Sequence, residues 1–183
     1  MDIPFLQAAH FTPGRGGAIP HLIVMHTMET PETKGRAKQV WQWFAGKTAP
    51  QASAHYCIDF LEVLQNVKDT DTAWAVDDWV LNQASISIEL AGSASQTPAQ
   101  WADTYSKTEL ALAAKLVAQK CKQFNIHPVR LSTNDILTGK SGICGHADIT
   151  AAKKIAGGHT DPGKNFPWTS FIADVTTQLK ALG

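Results

Sequence analysis

The chain of 183 residues has no surplus of either charge: 16 Lys and Arg balance 16 Asp and Glu. Nucleic-acid binding draws on a basic face that neutralises phosphates, and this balance argues against such a partner. Long apolar runs are missing too. No window approaches the roughly 18 uncharged apolar residues of a membrane span. The N-terminal MDIPFLQAAH has an acid at position 2 in place of a positive n-region, so no secretory signal is expected. The protein is expected to be made in the cytoplasm. Cysteine is scarce: Cys57, Cys121 and Cys144 are an odd, widely spaced set that favours free thiols over a disulfide framework. Repeats, heptads and linker-like low-complexity segments are absent, and 44% apolar content over this length suits one domain across residues 1–183. GRGG at 14–17 lacks the preceding strand and the following Lys-Ser/Thr of a phosphate-binding loop.

What is present reads as alternating strands and helices. HLIVM, residues 21–25, is a short apolar run with β-branched members, a buried strand ending at His26. In GRAKQVWQWFAG, 35–46, Val40, Trp43 and Phe44 recur at helical spacing before Gly46, which predicts a short amphipathic helix. SAHYCIDFLEVLQNV, 53–67, alternates as two antiparallel strands with a turn near Phe60–Glu62, although the usual turn glycine is missing. ASISIEL, 84–90, alternates strictly, with Ile86, Ile88 and Leu90 on one face and Ser85, Ser87 and Glu89 on the other. Pro98 opens the longest helical pattern, whose stripe of Leu110, Ala114, Val117, Cys121 and Phe124 continues to residue 124. After residue 126, glycines and prolines predict a loop-rich stretch before a final outer helix from Thr169 to Leu182. This order predicts an α/β fold: a mixed central β-sheet flanked by helices.

Several chemistries compete on the residues alone. His26, His146 and Asp161 supply two imidazoles and a carboxylate, a set that leaves a fourth tetrahedral position for a catalytic zinc to bind and activate a water. A histidine ending an apolar strand is also commonly just packed and hydrogen-bonded. Glu89 is either a solvated residue on the polar face of its strand or the general base beside such a water. His159 stands two residues before Asp161 in GGHTDPGKNFPW, where Asp-Pro-Gly is turn chemistry by itself; it serves as ligand, turn residue or oxyanion donor. Cysteine catalysis is the rival, because Cys57 lies two residues from His55 and Cys144 two from His146, on shared faces if the chain is extended. Trp41, Trp74, Trp79 and Trp168 offer a groove for sugars or peptides, or simply core.

Six blocks carry a resemblance: HLIVMHTME at 21–29, ASAHYCID at 52–59, DTAWAV at 71–76, NQASISIEL at 82–90, GICGHADIT at 142–150 and HTDPGKNFPW at 159–168. In this order they resemble the zinc-dependent N-acetylmuramoyl-L-alanine amidases of the type 2 family, whose fold is shared with peptidoglycan recognition proteins. The last block is most similar to amidase domains of phage endolysins. The resemblance implies Zn2+ held by His26, His146 and Asp161, with Glu89, in Ser-Ile-x-Ile-Glu, as the catalytic glutamate. His159 falls where many members have a lysine, so the resemblance implies an oxyanion donor there. Lysine is charged at neutral pH, whereas an ordinary imidazole is mostly neutral yet still donates one hydrogen bond. The histidine that members often carry after Ala-Trp is replaced by Ala75 and Val76. His55, in Ser-Ala-His-Tyr, is expected to face the cleft near the metal as a supporting residue. The implied partner is peptidoglycan, bound by a monomer without nucleic acid or membrane, and a lysin of this kind would reach the wall through a separately encoded pore. Two other roles stay open: cytoplasmic recycling of soluble muropeptides, and non-catalytic peptidoglycan binding, which typically goes with an incomplete ligand set.

Overall fold

The computed structural model describes residues 2–183. In chain order the elements are β1 (Phe11–Thr12), β2 (Leu22–Thr27), α1 (Arg36–Ala45), β3 (Tyr56–Ile58), β4 (Val63–Gln65), β5 (Thr72–Ala73), α2 (Trp79–Ala84) and β6 (Ser85–Leu90). There follow α3 (Pro98–Trp101), α4 (Thr104–Phe124), α5 (Thr133–Leu137), β7 (Gly142–Gly145), α6 (His146–Lys153) and α7 (Trp168–Ala181). Five strands form one sheet in the order β4-β3-β6-β2-β7, parallel except for β4, which pairs antiparallel with β3. The short strands β1 and β5 pair separately. This is the expected mixed sheet flanked by helices.

Parallel strands in such a sheet are covered on both faces, which is why LIVMHT of β2 is buried at every position. On one face Ile23, Met25, Ile86, Ile88 and Leu90 pack with Leu110 and Val117 of α4 and Phe171 and Val175 of α7. On the other, Leu22 and Val24 pack with Leu81, Leu131, Ile136 and Ile149. The same coverage corrects the reading of β6. Strict alternation suggests a solvated polar face, yet Ser85 and Ser87 are fully buried. Their side of the sheet lies beneath Arg15, whose Nη1 donates to the Gln83 and Ser85 carbonyls at 2.7 and 2.9 Å. Thus the arginine of GRGG is a brace between segments.

The predicted hairpin is β3 and β4, and its missing glycine has a substitute. Asp59 Oδ1 accepts from the N–H groups of Leu61 and Glu62 at 2.8 and 3.2 Å, an Asx-type turn. Its Oδ2 takes the Ala37 N–H at 3.1 Å and so satisfies a first-turn donor of α1. The helix expected from Pro98 to residue 124 is instead two helices. Thr97 caps α3 in a capping box with Gln100, and Asp103 caps α4 by accepting from Ser106 N–H. Two caps six residues apart leave room for only one turn of helix between them. The stretch after residue 126 is also more ordered than its glycines suggest, since it holds α5, β7 and α6. Gly142 serves close packing there: a Cβ would lie 2.6 Å from the Leu131 side chain. Among the described residues no helix is long and apolar enough to cross a membrane.

Candidate metal centre and cleft

The parallel register of β2 and β6 sets His26 directly beside Glu89, and residues paired in this way share a face. Both lie at the carboxyl ends of their strands, where open α/β sheets bind ligands. On the far side of β2, strand β7 ends at Gly145 and passes straight into α6, whose first residue is His146. Gly145 has no room for a side chain, because a Cβ would lie 2.5 Å from Pro162 Cδ. That vacancy lets the Asp161 turn close against the end of the strand. The Ala147 N–H then donates to the Asp161 carbonyl at 2.8 Å.

Three side chains converge as a result. His26 Nδ1 is 3.1 Å from Asp161 Oδ2, and His146 Nδ1 is 3.5 Å from Asp161 Oδ1. One donor atom from each residue falls within a group no more than 4.8 Å across. Residue exposure is 2%, 2% and 5% for His26, His146 and Asp161. Burial lowers the pKa of His26 in spite of the neighbouring carboxylate, leaving the neutral imidazole a metal needs. Burial alone would raise Asp161, but hydrogen bonds from His146 and His26 outweigh it and hold the carboxyl well below the usual range.

These residues fit a metal ion. Both rings aim Nδ1 at one carboxylate, so a donor atom from each of the three residues converges on one point. The nitrogen–oxygen separations of 3.1 and 3.5 Å bracket the edge of a tetrahedron with bonds of roughly 2.0–2.1 Å. Two imidazoles and a carboxylate are donors that suit zinc.

Glu89 completes the centre from the neighbouring strand. Burial, with Asp161 and Glu29 nearby, pushes its carboxyl up to about 8, and Oε2 has no hydrogen-bond partner. The solvated reading of Glu89 is therefore overturned. His159 stacks on His146 at 4.0 Å and 14°, with Nδ1 3.5 Å from Asp161 Oδ1. Its side chain is 57% exposed, so it stands at the rim of the centre and opens to the cleft. Together these five side chains line one end of a cleft of about 660 Å³, walled on the other side by α1 and the loops before β3 and α2.

The competing chemistries do not assemble. Cys57 is buried and donates to Asn66 Oδ1 at 3.5 Å, and burial pushes its thiol well up, as it does for Cys144. All three cysteines are free and buried. His55 does not face the cleft. Its Nδ1 accepts from Ser87 N–H at 3.1 Å, so its Nε2 carries the proton, donates to the Asp71 carbonyl at 3.2 Å and lies 2.8 Å from Arg15 Nη2. Of the four tryptophans offered as a groove, Trp74 lines the cleft, Trp41 is tied to the Gln65 carbonyl at 2.8 Å, Trp79 stands half-exposed at the start of α2 outside it, and Trp168 stacks beneath Arg130 at 3.7 Å. Trp43 lines it as well, half-exposed, so the apolar stripe of α1 is split between core and cleft.

Sequence reasoning missed Glu29 and Asp77, which also line the cleft. Asp77 forms a second group within 4.8 Å with His146 and His159, but Asp77 and His159 are exposed, whereas the first triad is wholly buried. The only signal for Glu29 was its place three residues after His26.

Residues 16–164 match the family Amidase_2, N-acetylmuramoyl-L-alanine amidase. The chain belongs to this family. Hydrolase AmiA of Staphylococcus aureus, solved with its ligand, superposes with a TM-score of 0.68 at 14% identity, covering 98% of this chain and 83% of that one. The catalytic domain of XlyA gives 0.64 at 20% identity, with 96% and 99% covered. A mutant endolysin from Bacillus subtilis gives 0.61 at 19%, with 94% and 99% covered. Likeness at such identities speaks for the fold, and the amidase class rests on the family match. A search of curated proteins finds no match to this chain.

Proposed function

We propose that residues 1–183 form a single catalytic domain, acting as a monomer, that hydrolyses the amide between the lactyl group of N-acetylmuramic acid and L-alanine in peptidoglycan, with zinc, as a phage or prophage endolysin. The observation that carries this reading is the convergence of His26, His146 and Asp161 within 4.8 Å beside Glu89, at the end of an open cleft. The cleft's open form suits a polymer, and a similar solved chain is an endolysin.

His26, His146 and Asp161 would hold the ion, which when bound supplies Lewis acidity to polarise the carbonyl and acidify a water. An unactivated amide needs both a better nucleophile and relief for the charge that builds on its oxygen. Glu89 takes the proton of the attacking water as the C–O bond forms, then delivers it to the alanine nitrogen as the C–N bond breaks. Its raised affinity for a proton makes Glu89 the better acceptor in the first step, and its unpartnered Oε2 is free to carry that proton to the nitrogen in the second. His159 donates to the carbonyl oxygen from the exposed rim, where the cleft admits substrate.

The test is a peptidoglycan digest with and without a chelator, read by mass spectrometry. Free stem peptides beginning in L-alanine, lost on chelation, are expected; new reducing sugars would overturn the reading. Activity on intact sacculi fits the lysin, reached through a separate pore, whereas activity only on small muropeptides replaces it with the recycling role.

A further inference from the structure

The chain just past His26 is held in an unusual way. Glu29 has a φ of 51°, in the left-handed region that side-chain-bearing residues rarely adopt. Its carboxylate is fully engaged there. Oε1 accepts from the Thr27 hydroxyl at 2.6 Å and from the Ala94 N–H at 2.8 Å, and Oε2 accepts from the Ser93 hydroxyl at 3.1 Å. Hydrogen bonds to an ionised carboxylate are the stronger kind. None of these partners is a candidate metal ligand, and the mechanism above does not use Glu29.

Ala94 connects this contact to the other side of the centre. Its N–H is taken by Glu29, while its carbonyl presses on Gly163, where a Cβ would lie only 2.1 Å from that oxygen. Gly163 has a φ of 93° and stands two residues after Asp161. The Gln96 carbonyl adds a second tie by accepting from Asn165 Nδ2 at 2.8 Å. Segment 93–96 is thus a bridge. One end is fixed to the exit of β2, which carries His26, and the other to the turn that carries Asp161.

We propose that Glu29 is a positioning residue for the metal centre: through Ala94 and Gly163 it holds the Asp161 turn at the separation from His26 that ligation requires. This rests on the zinc reading above. Partners that orient metal ligands without touching the ion typically carry a tenfold to hundredfold share of affinity. Glu29 differs from a usual partner of that kind in acting through a backbone bridge.

The zinc dissociation constant, measured by chelator competition with zinc alone, tests this on wild type, Glu29→Ala, Glu29→Gln and Ser93→Ala. Glu29→Ala is expected to weaken zinc about tenfold to a hundredfold, with KM unchanged at saturating zinc. Glu29→Gln keeps an acceptor oxygen for Thr27 and Ala94 and is expected to recover most of the loss, a rescue a direct charge effect on the ion would not give. Ser93→Ala, which removes one donor, is expected to fall between them. Zinc affinity at the wild-type level in Glu29→Ala overturns the proposal, whether KM rises, as for a substrate contact, or only thermal stability falls, as for a loop brace. Should Glu29→Ala not fold, wild-type affinity in Ser93→Ala overturns it equally. Wild-type protein that binds no zinc instead removes the zinc reading itself.

Discussion

His55 and His26 are equally sequestered, at 0% and 2% exposure, and burial drives both toward neutral imidazole, His55 to about 3 with help from Arg15. What separates them is how their nitrogens are used. Both nitrogens of His55 meet protein groups: Ser87 on one side, Arg15 and the Asp71 carbonyl on the other. His26 spends one nitrogen on Asp161, leaves the other without a partner, and stands beside a Glu89 oxygen in the same condition. A buried histidine whose nitrogens the protein satisfies holds the fold together; one whose Nδ1 meets a carboxylate and a second imidazole at the mouth of a cleft is placed for a ligand.

The largest effect expected from breaking this contrast is at Asp161. Asp161→Ala should fold but lose bound zinc, with amidase turnover down at least about 10³-fold, as metal analysis and product release would show. At Arg15 the loss should fall on stability instead. Arg15→Ala strips the Asp69, Gln83 and Ser85 carbonyls of a buried donor and should cost about 3 kcal/mol in urea unfolding, with zinc content of the folded protein unchanged. His159→Ala should lower turnover about 10²-fold, while His159→Lys should keep activity, because an ammonium also donates to the carbonyl oxygen.

Glu109 sharpens the comparison at the smallest scale. It is fully buried, with Oε1 accepting from Ala91 N–H at 2.7 Å and Oε2 unpartnered, but it lies away from the cleft. Burial raises its pKa well above the usual 4.5. A carboxyl whose folded pKa is raised contributes stability below its unfolded pKa and loses it as pH rises toward the folded value. Glu109→Gln should therefore match wild type near pH 4 and melt higher at pH 7, with turnover unaffected. A lone unsatisfied atom marks strain of this sort, whereas donor atoms of three residues within 4.8 Å of one another mark a site.

Local chemistry made parts of this legible and hid others. The apolar run before His26 and the alternation of ISIEL announced two strands because burial writes itself into residue type. The pairing of His26 with Glu89 was beyond periodicity, since register depends on which strands become neighbours. The same gap misplaced His55, whose direction is set by Arg15, 40 residues earlier. Glycines 142 and 145 read as loop because close packing and turning demand the same residue. The ligand set and Glu89 came from the resemblance of six blocks, and their residue types alone left the bland readings open. In the turn, Asp161 now faces both histidines while His159 occupies the rim.

The central claim is that the unpartnered Glu89 oxygen moves the proton while the buried triad holds the ion. Zinc stoichiometry and turnover of Glu89→Gln on purified peptidoglycan test both halves together. One zinc per chain with turnover down about 10²–10⁴-fold is the expected result. Wild-type turnover, or a variant that no longer holds zinc, would contradict it.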